Sequence, residues 1–447
     1  MLRRLYAFFA RFGGLRRNAQ LYLLSNTLQA LSAGAIAVLY TLFLNGLRYG
    51  TTFIGLTVFV GTAGGALAIF PASALTRRLG WRAMLLLSDA VGGLSIFLQL
   101  IAPTPAVTLI TSLGVGASVA IFLVLNSPFL AAHSAPSERN ALFGLNNALG
   151  FLASVFGSLL GGLLPVWIMV GFHAHIGWLI ALRPYLVANT QGSVYQLAML
   201  AAGAVAVPSV IPVLFIRDDT NSAADAFTPT ASGAGSISLR ERARRWLRMA
   251  RDLGSGTIGR FSGSQALVGF GAGLFFPYLN IYFVQRLGAT TAFYGALTAG
   301  VTLLLALVSL LSAPLADRFG RVRLALVAQV ASLPFMVAMG ALPTLGVVAT
   351  CYVLRSTLMN TGAAPLQAWL MDAAPPERRV VASNVYNVSW QGAWAIGAAL
   401  GGELIAIGGY GAPFYVGAVC YTVSAILLGV WFLPHDTKPS TADATTT

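Results

Sequence analysis

Twelve apolar runs, each close to the length that crosses a bilayer, constrain this chain more than any other feature. A spanning helix needs about 20 apolar residues. The first six runs are Ala19–Leu44, Thr52–Leu75, Ala83–Ala102, Ala106–Ala131, Ala141–Pro165 and Thr190–Ile216. The second six are Thr257–Val284, Thr291–Ala316, Leu324–Leu342, Leu345–Met371, Val380–Leu404 and Gly411–Leu433. Only 9% of the residues are charged, against about 25% in soluble domains. A chain that is 57% hydrophobic cannot cover itself with a water-compatible surface, so its solvent is the lipid bilayer. The expected fold is an all-α membrane protein with twelve transmembrane helices.

The net charge of +14 does not mark a nucleic-acid binder, because the arginines fall in short clusters between apolar runs. With twelve spans, Arg3, Arg4, Arg11, Arg16 and Arg17 share one side with Arg77, Arg78, Arg82, Arg318, Arg321, Arg323, Arg378 and Arg379. Only Arg48, Arg183 and Arg286 fall on the other. Basic loops stay inside, so both termini are expected in the cytoplasm and the protein in the cell (inner) membrane. The same asymmetry excludes Val166–Leu182, with His173 and His175, as a thirteenth span. It is expected to be an outward-facing interfacial or re-entrant helix. No small-residue cleavage site follows Arg3 and Arg4, so no removable signal peptide is expected.

Four segments follow: an N-terminal bundle at 1–216, a cytoplasmic linker at 217–256, a C-terminal bundle at 257–433 and a disordered tail at 434–447. The linker opens flexibly through Asp218–Gly235. A capping box at Ser238–Glu241 then starts a basic amphipathic helix whose apolar face includes Leu239, Trp246 and Leu253. Such a helix lies on the inner leaflet. The two bundles repeat. A basic hairpin, Leu315–Arg323, has a degraded copy at Leu75–Arg82, offset by 320 − 80 = 240. Gly157, Gly161 and Gly162 match Gly397, Gly401 and Gly402 at 240, and Ala33-Gly34 matches Ala272-Gly273 at 239. The bundles are therefore expected to be pseudo-symmetric.

The stretch Ala313-Pro-Leu-Ala-Asp-Arg-Phe-Gly-Arg-Val-Arg323 resembles the signature loop of the major facilitator superfamily, which recurs between helices 2 and 3 and between helices 8 and 9. Asp317, Arg318, Gly320 and Arg321 match, with Ala313 in place of the usual glycine. In the upstream copy, Arg77, Arg78 and Gly80, Arg77 replaces the aspartate and Trp81 a basic residue. The resemblance implies the superfamily fold, a secondary transporter working by alternating access, and an aspartate that helps lock the cytoplasmic side. The lock is then expected to lean on the C-terminal half. The glycines of the fifth helix are similar to the family's antiporter motif without its proline, and equally to close packing of small residues.

Polar residues inside spans are the binding candidates. Arg355 sits near the middle of the tenth run, where a charge is costly and marks function by default. Two readings are open: it faces a substrate anion, or it pairs within the bundle. Asn26, Gln29 and Tyr40 on the first helix, Gln265 and Asn280 on the seventh, and Asn384, Asn387, Trp390 and Gln391 on the eleventh form polar stripes. Amides and aromatics suit polar or amphipathic organic solutes, and also bridge helices. Asp89 is the one carboxylate well inside a span, a weak proton-coupling candidate that pairing or snorkelling also explains. No metalloprotease, P-loop or nucleophile-elbow motif occurs, so no enzyme chemistry, cofactor or metal is expected. The expected function is export of a drug-like or other organic solute by a monomer. The alternatives are import of an anionic metabolite through Arg355, and a membrane sensor or scaffold without flux.

Overall fold

In the computed structural model, residues 16–135, 138–217, 256–375 and 378–436 are described. The first arginines, the linker with the basic helix expected there and the tail beyond Asp436 lie outside them. Every long element is helical, and no strand occurs among the described residues.

The helices are α1 (Arg17–Gly46), α2 and α3 (51–79 and 81–101), α4 (Pro105–Ala132), α5 (Arg139–His173) and α6 (Thr190–Leu214). The second set is α7 (Thr257–Arg286), α8 (Thr291–Phe319), α9 (Arg321–Ala341), α10 (345–373), α11 (Arg379–Gly408) and α12 (Ala412–Phe432). Helix starts follow local chemistry. The Thr104 hydroxyl accepts from Val107 N ahead of Pro105, and the Asn189 side chain accepts from Gly192 N. Gly80 (φ 82) alone separates α2 from α3, and Gly320 (φ 90) alone separates α8 from α9. A one-residue turn between helices needs this left-handed backbone, which glycine adopts without a Cβ penalty. Ten of the twelve are long and apolar enough to cross a membrane by length and composition. Helix α10 falls short because Gly362 interrupts it, leaving 17 residues before the break. In α11 the polar stripe of Ser383, Asn384, Asn387 and Gln391 lowers the hydropathy.

Helix α5 corrects the sequence expectation. It runs past Pro165 to His173, 35 residues, or roughly 50 Å at 1.5 Å per residue. Proline inside a membrane helix is tolerated where neighbours compensate the lost bond, so Pro165 does not end it. Half of the expected interfacial stretch is thus the last two turns of α5. The chain turns at His175 (φ 54), and only Gly177–Leu182 forms a separate helix. Leu179 of that helix is buried against Gly171. The tail is also corrected in part: a 3₁₀ turn, Leu433–His435, carries Asp436 onto the start of α9.

The chain forms two compact units. Of the described residues, one holds those within Met1–Tyr49, Thr57–Ala231 and Ala289–Thr302, the other those within Gly50–Leu56, Ser232–Gly288 and Leu303–Thr447. In the first, Tyr22, Trp81, Phe129, Leu142 and Val213 share a buried core. In the second the core gathers Phe261, Val322, Leu366, Leu370 and Phe432, with Trp369 packed on it. The repeated glycines explain both seams. A Cβ on Gly157 would overlap the Leu31 carbonyl, and one on Gly161 would lie 2.6 Å from the Ala35 carbonyl, so α1 and α5 touch backbone to backbone. Gly397 and Gly401 bring α11 onto Phe270 and Leu274 of α7 in the same way. The third glycine of each set seats a helix start of its own unit. Thr291 Oγ1 donates to Gly162 O at 2.8 Å, and Thr51 Oγ1 donates to Gly402 O at 2.8 Å.

Candidate functional site

In the first unit the α1 stripe is hydrogen-bonded across four helices. Tyr22, Asn26 and Gln29 follow i, i+4, i+7 and share one face. The Tyr22 hydroxyl donates to Asn126 Oδ1 on α4 at 3.0 Å. Asn26 Nδ2 donates to Asn146 Oδ1 on α5 at 2.6 Å, and Asn146 Nδ2 reaches Asn126 Oδ1 at 3.5 Å. Gln29 Nε2 donates to Asp89 Oδ1 on α3 at 2.8 Å. The other carboxylate oxygen, Oδ2, is buried and has no hydrogen-bond partner. A binding candidate and the proton candidate, 60 residues apart in sequence, are therefore in direct contact. Tyr40 stands apart from this cluster: its hydroxyl lies 3.3 Å from Ser112 Oγ and accepts from Gln99 Nε2 at 3.1 Å. Sequence reading missed Tyr22, Asn126 and Asn146, although each is a polar side chain in an apolar span.

In the second unit Arg355 is 2% exposed. Its guanidinium donates to the Tyr421 hydroxyl on α12 and lies 4.8 Å from the Phe275 ring centroid and 5.2 Å from that of Phe276. Cation–π attraction strengthens when water is excluded. Among the described residues no carboxylate is in ion-pair range of Arg355, and its Nε has no partner. Helix α7 loosens beside it: Phe276–Tyr278 is a 3₁₀ turn and Tyr282–Arg286 a π turn. Pro277 removes one backbone donor there, and Asn280 Oδ1 accepts from Ile281 N at 2.8 Å. Gln265 is buried with its Nε2 unpartnered. On α11, Asn387 and Gln391 are exposed, while Trp390 lies against Gly269 of α7. The structure thus does not gather the C-terminal candidates around Arg355.

The signature loops differ between the units. Asp317 and Arg318 are exposed, and the ion pair in the loop is Arg321 with Asp372 at the end of α10. In the first unit Trp81 stands at the position of Arg321 (321 − 240 = 81) and His133 at that of Asp372 (372 − 239 = 133). Their rings meet edge to face at 6.4 Å, and Trp81 also packs on Phe129 at 5.6 Å. A buried aromatic contact replaces a half-exposed salt bridge. Arg77 and Arg78 are exposed on the last turn of α2. Exposed ion pairs are worth at most about 1 kcal/mol and weaken with salt. Raising ionic strength is thus expected to loosen the Arg321–Asp372 loop and leave the Trp81–His133 end unchanged, as read by amide exchange at the starts of α9 and α3.

A profile of the Major Facilitator Superfamily matches residues 22–253 and 261–447. A search of curated proteins finds no match. Among solved structures the chain is similar to a bacterial homologue of the human lysosomal transporter Spinster, inward-facing and unoccupied. Identity there is 14%, over 95% of this chain and 98% of that one, with a TM-score of 0.69. It is also similar to the nucleoside transporter NupG, at 13% identity over 94% and 100% of the two chains and a TM-score of 0.67. A D-xylose–proton symporter matches at 16% identity, over 93% and 96%, with a TM-score of 0.59. At such identities the likeness shows the fold.

Proposed function

Because this chain belongs to the Major Facilitator Superfamily, we propose that it is a secondary transporter that moves a small organic solute out of the cell by alternating access. The protein is an integral membrane protein. In this reading it lies in the cell membrane as a monomer with both termini in the cytoplasm, as its arginine distribution favours. The observation that carries the reading is the α1 stripe: three polar side chains in an apolar unit, tied to two asparagines and to a carboxylate with one oxygen unpartnered. Amides arranged this way suit recognition of a polar or amphipathic solute, and the carboxylate suits a coupling proton. A panel of drugs and metabolites, read by thermal stabilisation of the purified protein, identifies the ligand class. Flux of the best stabiliser in proteoliposomes then tests transport. Binding without flux would instead identify a sensor.

A second reading, import of an anionic metabolite, is favoured by one observation: the buried Arg355 has no carboxylate to neutralise it among the described residues. A charge-assisted hydrogen bond is worth about 1.5–3 kcal/mol. Arg355→Ala is then expected to cut flux of anionic solutes by about tenfold or more, with Arg355→Lys retaining part. Arg355→Met separates site from scaffold, since an apolar replacement of a buried charge often preserves stability. A folded Met variant with undiminished anion flux ends the importer reading.

A further inference from the structure

Helix α9 begins immediately after Gly320, so its cap position has no side chain to accept the free N–H groups of the first turn. Another segment supplies the acceptor. Asp436 Oδ2 accepts from Arg323 N, the third residue of α9, at 2.8 Å. This is the bond a capping aspartate makes within its own helix. A Cβ built on Gly320 would lie 2.6 Å from the same oxygen, so the carboxylate occupies the space a cap side chain would fill. Asp436 reaches it because α12 tightens into the 3₁₀ turn Leu433–His435, with Asp436 N donating to Leu433 O at 3.3 Å. A negative charge at a helix N-terminus is also favoured by the helix dipole. The residue next to Gly320, Arg321, is held in turn by Asp372 of α10. Two carboxylates, Asp372 on α10 and Asp436 after α12, therefore hold Arg321 and Arg323 at the start of α9, beside the exposed Asp317 and Arg318.

We propose that Asp436 is a positioning residue of the gate: it caps α9 from the C-terminal tail and sets the conformation of the signature loop Leu315–Arg323. The turn that ends in Asp436 is thereby part of the gating apparatus. The capping half stands by itself, while the gating half rests on the alternating-access reading above. The test uses the full chain in lipid nanodiscs, as Asp436→Ala and as Asp436→Asn, whose amide oxygen still accepts a hydrogen bond. Amide exchange of a peptide spanning 321–326 is expected to quicken about fivefold in the alanine variant, the loss of one helix cap, and to stay near wild type in the asparagine variant. Distance distributions between spin labels on the loop-proximal ends of α2 and α8 are expected to shift in the alanine variant alone. Unchanged exchange in Asp436→Ala, or equal quickening in both variants, overturns the cap. Quickened exchange with unmoved distances overturns the gating role and leaves the transport reading untouched. Flux that is absent from every variant and from wild type defeats the transport reading and leaves the exchange result standing.

Discussion

Exchanging Asp89 for asparagine is expected to make flux indifferent to an imposed pH gradient while the fold survives. The side chain is close to isosteric, and Gln29 Nε2, which now donates to Asp89 Oδ1 at 2.8 Å, can still donate to an amide oxygen. What asparagine cannot do is take up and release a proton. The present carboxyl can do so without breaking any other bond, because its second oxygen has no partner. Any solute movement driven by the proton gradient should therefore fall to the level seen without a gradient, a loss of about tenfold or more where a coupling of 1.4 kcal/mol or above is removed. Exchange of solute across a membrane without a gradient should continue. Gln29→Leu gives a graded control, since it removes the tie between the α1 stripe and the carboxyl but keeps the proton site. The measurement is uptake or efflux in proteoliposomes at equal and unequal pH. A full pH response in Asp89→Asn would remove Asp89 from the coupling mechanism.

Leucine at Gly157 is expected to break the packing of the first unit. The Cβ alone overlaps the Leu31 carbonyl, and backbone cannot yield as a flexible side chain can. Helices α1 and α5 must then separate, which also stretches the 2.6 Å bond between Asn26 and Asn146. Overpacking of a tight interior costs about 3 kcal/mol at the upper end of its usual range. That corresponds to roughly 10 °C in the unfolding midpoint of a unit of this size. Gly150, also in α5, has no heavy atom within 4 Å of a built Cβ. Gly150→Ala is expected to be neutral or stabilising by up to about 1 kcal/mol, because alanine is the better helix residue. Thermal unfolding in detergent with and without lipid checks both. Equal midpoints for Gly157→Leu and Gly150→Ala would show that the seam is looser than its backbone contacts imply.

Legibility varied with the range of the physics involved. The twelve helices were readable because apolar length against bilayer thickness is a local property. The largest misplaced end is that of α5, which runs eight residues past Pro165 because a bundle tolerates proline inside a helix. The polar stripes were equally plain, since an amide in an apolar run is visible in one line of sequence. Their partners were not. Gln29 meets Asp89 across 60 residues and Tyr22 meets Asn126 across 104. Arg355 was visible as a costly charge, but its enclosure by Phe275, Phe276 and Tyr421 depended on three helices. Asp436 falls in a short polar stretch whose composition reads as a disordered tail, and its role as a cap depends on α9, more than a hundred residues away.

By itself the sequence determined a membrane solvent, twelve long helices and an internal duplication. Each follows from composition, run length or residues that recur at one offset. Only the tertiary structure decided which polar groups are satisfied and which are left open. That is how Trp81–His133 comes to stand in one unit where Arg321–Asp372 stands in the other. It is also how the start of α9 comes to be capped by a residue 113 positions from its bond partner Arg323. The physical reason is that hydrogen bonds and ring contacts act over a few ångströms, and only packing brings such distant residues within that range.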